Sequence, residues 1–309
     1  MMRRIISFLA LISVIGLRAF AQDAASGNFE DRYNALVSAV GTAGVGVETL
    51  LDKWEAAEPD NSKMFEARFL FYLTKCRTEQ VKPFDKNRYL GQEPILSLKD
   101  SLGNPVNYFR DTDYDDEIFG NAIKAIDKAI QKNPINLDLR LAKISAFVGY
   151  EKESPDIATS ELKGLIDYSF TQSPKWVYPG IDVNAEFFAA MVQQYCATFF
   201  KYGTPASYKA FKELSQKMLA YEPGNTVFMD NMGSYYLVVE KDSKTALKYY
   251  NKVLKKKPDD ITAITNCVLL ARNDKNIKLE KKYLPKLIEY SEDENTRKAA
   301  TVRLEALNK

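Results

Sequence analysis

The chain has 309 residues, 46% of them apolar, with 43 basic and 41 acidic side chains, three cysteines and no histidine. The near-neutral, interspersed charge excludes the basic face that nucleic acid demands, and fourteen glycines with twelve prolines are too few for a collagenous or disordered chain. Without histidine there are no imidazole bases, Ser-His-Asp or Cys-His nucleophile systems, or histidine metal sites, so a helix-rich, ordered protein is expected, without enzymatic activity, metal or cofactor.

From the N-terminus, Met1-Met2-Arg3-Arg4, an apolar stretch from Ile5 to Leu17, and Ala19-Phe20-Ala21 before Gln22 follow the basic, apolar, small-x-small order of a secretory signal peptide cleaved after Ala21. Arg18 ends that stretch short of the roughly 20 residues that span a bilayer. No later stretch is long and apolar enough, so no integral membrane segment is expected after cleavage. Gln22 stands where a lipoprotein would carry cysteine, the first of which is Cys76. The expectation is a periplasmic or secreted protein, residues 22–309, about one charge negative once Arg3, Arg4 and Arg18 are removed.

Four prolines then share one local context: Glu58-Pro59-Asp60-Asn61, Asn133-Pro134-Ile135-Asn136, Glu222-Pro223-Gly224-Asn225 and Lys257-Pro258-Asp259-Asp260. Each ends one helical stretch and offers a polar N-cap to the next. Twelve, eight and five residues before three of them stand Val47, Leu51, Trp54; Ala122, Ile126, Ala129; and Ala246, Tyr250, Val253, one face of a helix in each case. Phe211, Ser215 and Met218 are the less regular set before Pro223. Helical pairs are expected near 28–58, 61–133, 136–171, 182–222, 226–257 and 260–290. A closing helix over 293–307 carries Ala300, Leu304 and Leu307 along one side. Gly41, Gly44 and Gly46 mark the break between the first two helices, because no Lys-Ser/Thr follows them as a phosphate loop requires. Cys76, Cys196 and Cys267 fall within helical apolar patterns and read as buried free thiols.

Two insertions interrupt the helices. In the first, about 81–113, the runs Ile95–Leu102 and Pro105–Phe109 flank Gly103-Asn104 and read as a β-hairpin, which must rest against the helices because an isolated ribbon is marginal in water. The acidic run Asp111-Thr112-Asp113-Tyr114-Asp115-Asp116-Glu117 has Asp116 and Ala122 where a calcium loop needs glycine and glutamate. It is expected to cap a helix starting near Asp115. The second insertion, Thr171 to Val183, is a proline-bounded loop.

Met229-x2-Met232-Gly233-x2-Tyr236, Ala246-x3-Tyr250 and Pro258 resemble the tetratricopeptide-repeat pattern W-x2-L-G-x2-Y, A-x3-F, P in a divergent form. The resemblance implies an all-α fold, a right-handed superhelical α-solenoid of helical hairpins, here with one inserted β-hairpin. It also implies ligands on the concave face of the first helix of each pair, which places Val227, Asp230, Ser234 and Leu237, then Thr262, Thr265 and Leu269, in a partner-binding groove. Asn231 and Asn266 occupy the family's recurring asparagine position, but the basic residues of a carboxylate clamp are missing.

In the second insertion Trp176 and Tyr178 either stack on a partner or plug the loop onto the core. The function expected is a protein or peptide scaffold of the bacterial cell envelope. The alternative is glycan capture within an exported uptake system. An enzyme would have to use carboxylates alone, and nothing in the sequence pairs them.

Overall fold

The computed structural model describes residues 28–308; the leader expected over residues 1–21 lies outside them. The protein is all-α, with thirteen helices among the described residues and a small β insertion. Contacts along the backbone divide it into two compact units, Met1–Pro59 and Asp60–Lys309.

In the first unit α1 (Phe29–Val40) and α2 (Val47–Ala57) form a hairpin. The turn needs glycine, since Gly41 and Gly46 sit at φ 83° and 87°, a region that side chains disfavour. Trp54 is the centre of the packing, stacked on Phe29 with ring centroids 6.2 Å apart and tilted against Tyr33 at the same distance.

The second unit continues with α3 (Ser62–Lys75), α4 (Asp116–Lys132), α5 (Leu137–Glu151), α6 (Asp156–Gln172), α7 (Ala185–Tyr202) and α8 (Pro205–Tyr221). It ends with α9 (Thr226–Val238), α10 (Ser243–Lys256), α11 (Ile261–Asn273), α12 (Ile277–Tyr290) and α13 (Glu294–Asn308). The proline motifs work as their chemistry dictates. Glu58, Asn133, Glu222 and Lys257 are all C-caps held at φ between −121° and −136°, the extended backbone that a following proline enforces. Asn61, Asn136, Asn225 and Asp260 are all N-caps whose side chains accept backbone amide protons of the next helix. The twelve positions counted back from these prolines are all buried, none above 2% exposed. Each apolar side chain so buried contributes about 1.5–3 kcal/mol.

Close approach of α9 and α10 depends on Gly233, where a Cβ atom would lie 2.4 Å from the Tyr250 ring. At the C-terminal end, Glu280 of α12 is 1% exposed and accepts from Arg272 of α11 (2.7 Å) and from both Nε and Nη2 of Arg303 of α13 (2.9 Å each). One buried carboxylate thus fastens three helices, while Leu304 and Leu307 of α13 pack on the core and Ala300 is buried.

Between α3 and α4 the chain makes a three-stranded antiparallel sheet, not a lone hairpin. Here β2 (Leu96–Lys99) and β3 (Pro105–Tyr114) pair around Gly103 as the two flanking runs predict, and β1 (Arg77–Phe84) pairs with the other side of β3 from Arg77↔Tyr114 to Phe84↔Asn107. Pro83 is tolerated because β1 is an edge strand. The inner face carries Phe109, Asn107 and Asp111, all buried, with Phe84 stacked on Tyr89 at 4.0 Å. Asp111 is clamped by Lys82 (3.2 Å), by Lys152 at the end of α5 (2.8 Å) and by the Tyr89 hydroxyl (3.3 Å). Burial works against that charge, but hydrogen bonds from Lys152 and Lys82 outweigh it and hold the carboxyl below its ordinary value. The acidic run is therefore shared between a strand and a cap: Asp111 and Asp113 pair with lysines, and Asp115 accepts the Ile118 amide at 2.9 Å to start α4.

Candidate binding face

The first helices of successive pairs, α5, α7, α9 and α11, are joined side by side by polar side chains. Tyr195 of α7 donates to the Leu141 carbonyl of α5 at 3.0 Å and lies 2.9 Å from Ser145 Oγ. Gln193 of α7 and Asn231 of α9 exchange two amide hydrogen bonds (3.0 and 2.6 Å), and Asn231 also donates to Ser215 of α8 at 3.1 Å. Asn266 of α11 donates to Ser234 of α9 at 3.4 Å. Both recurring asparagines are thus engaged within the protein. Buried amides with satisfied partners fix the register of neighbouring helices.

On α9 and α11 the caps Asn225 and Asp260 set which side chains follow. Val227 is 42% exposed, Leu269 is 45% exposed, and Thr262 and Thr265 are exposed, so these four form surface. Ser234 is half-buried beside the Tyr250 hydroxyl at 3.4 Å. Leu237 belongs to the hydrophobic core with Ala246, Tyr250 and Val253, and contributes no surface. Asp230 is 7% exposed. The reason for both departures is that α9 is buried on nearly every side, nine of its thirteen residues being covered, so helical periodicity alone does not single out an open face.

Asp230 has a neighbour that sequence spacing did not suggest. Asp260, the N-cap of α11, lies close enough to disfavour its charge, and Asp230 Oδ1 is buried with no hydrogen-bond partner. Burial first, and Asp260 second, push the Asp230 carboxyl up to about 8, with Lys257 opposing. A carboxyl so raised holds its proton at pH 7 and is then a hydrogen-bond donor. A second pair of carboxyls interacts farther up the unit. Burial raises the carboxyl of Asp138 on α5, with Glu66 of α3 adding to the rise and Lys63 opposing it. There Lys63 lies 3.0 Å from Glu66 and supplies the positive charge from the same helix.

Trp176 and Tyr178 sit in the loop between α6 and α7, where β4 (Val177–Tyr178) pairs with β5 (Ile181–Asp182). Trp176 is 9% exposed; its indole nitrogen donates to Ser169 at 3.1 Å, and the Arg140 guanidinium lies over its ring at 5.7 Å. Arg140 is held there by donating to the Pro134 carbonyl. Tyr178 is half-buried against Phe187 at 5.3 Å. Both rings anchor the loop to the helices.

Cys76, Cys196 and Cys267 are buried and free. Among the described residues no group of three or more cysteine, aspartate or glutamate side chains is gathered as a metal ion would require, and no helix is long and apolar enough to cross a membrane. The chain matches no known protein-family model and no curated protein.

Proposed function

We propose that the protein is an exported scaffold with a tetratricopeptide-like, right-handed solenoid of helical hairpins, and that it holds a peptide or protein rather than catalysing a reaction. The observation that carries this reading is the side-by-side joining of α5, α7, α9 and α11 through Tyr195, Gln193–Asn231 and Ser234–Asn266. Exposed positions on consecutive first helices then form one surface, which on α9 and α11 consists of Val227, Thr262, Thr265 and Leu269, with Ser234 and Asp230 beneath. Exposed aliphatics beside hydroxyl groups suit a polypeptide segment, whose apolar side chains and backbone both find partners. The leader composition supports export, and chain sequencing of the secreted or periplasmic form is expected to begin at Gln22.

Glycan capture would rely on an exposed aromatic platform. Trp176 is covered by Arg140 and Ser169, which favours the polypeptide reading.

The test is the pair Val227→Glu with Leu269→Glu, both surface positions, made together in the mature chain. Crosslinking in the producing cell followed by mass spectrometry is expected to lose the partners seen with the wild type, while circular dichroism and the melting temperature stay unchanged. The same partners at the same yield would overturn the assignment of this face.

A further inference from the structure

We propose that the Asp230–Asp260 carboxyl pair is the anchoring point for a lysine or arginine side chain of the segment bound on the α9/α11 face. This rests on the reading of that face as a polypeptide site, and adds the charge of the occupant. Three observations point the same way. Asp230 is more than nine-tenths buried, yet Oδ1 has no hydrogen-bond partner, an arrangement that costs free energy unless a ligand completes it. Asp260 is the more exposed member, half-buried at the start of α11, so an incoming cation meets it first. Finally, on α3 and α5, where Glu66 likewise raises Asp138, Lys63 pairs with Glu66 at 3.0 Å, whereas Lys257 makes no ion pair with Asp230 or Asp260 among the described residues. Beside Asp230 the positive charge is left for the partner to supply.

The charged and titratable groups around Asp230 are Asp260 and Lys257 from the turn before α11, Tyr250 of α10 and Cys267 of α11. Burial raises both the tyrosine hydroxyl and the cysteine thiol, so neither changes charge near neutral pH. The exchange is therefore simple: an ammonium or guanidinium arrives, the proton held by Asp230 leaves to solvent, and the cation takes the place of that proton beside the carboxylate. Binding strengthens as the pH rises towards about 8, because the free protein must release that proton.

The experiment selects peptides from a displayed random library on the mature chain, then synthesises those recovered and measures their affinity by calorimetry. Asp230→Asn and Asp260→Asn are the controls, since asparagine keeps the size of each side chain and is as good an N-cap as aspartate. The expected result is enrichment of lysine and arginine, affinity reduced about tenfold or more in either variant, and proton release on binding that vanishes in Asp230→Asn. Peptides that bind on the Val227/Leu269 face but are neutral or acidic, or that bind both variants like the wild type, would overturn the cation assignment and leave the face intact. Failure to select any peptide sensitive to Val227→Glu would overturn the face itself, and the anchoring point with it.

Discussion

The helix pair α9 and α10 and the sheet inserted between α3 and α4 are held by opposite means. Helix α9 is covered on nearly every side and α10 packs an apolar stripe against it, and the polar bridge from Asn231 to Ser215 lies inside that packing. The sheet buries one face only and is fastened to the end of α5 by charge, through Asp111 between Lys82 and Lys152. Its outer face carries Val81, Leu96 and Leu98, each about half exposed, which inverts the usual polar exterior of a half-buried sheet. Packing energy that is spread over many contacts resists pH, whereas a clamp made of one carboxylate does not.

The largest effect is expected in the helices. Tyr250→Ala removes a ring with no exposed surface that fills the space left by Gly233, and is expected to cost about 3–5 kcal/mol in urea unfolding followed by circular dichroism. A loss below about 1 kcal/mol would mean that α9 and α10 close over the gap.

Asp111→Asn is expected to cost less, about 1–3 kcal/mol, because Lys82 and Lys152 remain partly hydrated once their carboxylate is gone. Its pH behaviour is distinctive. The folded-state carboxyl lies below its ordinary value, so its contribution is present above the unfolded value and is lost as the pH falls through the lower folded one. Hydrogen exchange over residues 77–114 is expected to accelerate in acid before that of α9 and α10, and Asp111→Asn is expected to show the same acceleration already at pH 7. Simultaneous opening of both regions would show that the clamp is not what holds the sheet.

The smallest effect is expected on the outer face: Leu96→Ser with Leu98→Ser changes stability by no more than about 0.5 kcal/mol each, since each side chain is about half exposed. A larger loss would indicate that this face is occupied in solution.

Much of the helical framework was legible because its determinants are local. A proline with a polar residue two positions later, and an apolar stripe at helical spacing before it, act within a few residues, and the helices begin and end accordingly at Asn61, Asn136, Asn225 and Asp260. Strand β1 was not legible, because Arg77-Thr78-Glu79-Gln80 has no apolar alternation and becomes a strand only by pairing with β3 about thirty residues on. For the candidate face, the repeat resemblance points to Val227, Thr262, Thr265 and Leu269, which the structure exposes. Leu237 and Asp230, to which it also points, are buried, because α9 has neighbours on most sides.

The amino-acid order by itself determined where helices start, stop and turn an apolar side inward, since capping and periodicity are properties of adjacent residues. Only the tertiary structure decided that Asp230 meets Asp260, that Asn231 meets Gln193 and that Trp176 is covered by Arg140. Those meetings join residues thirty or more positions apart, and no local preference encodes which side chain another helix brings alongside.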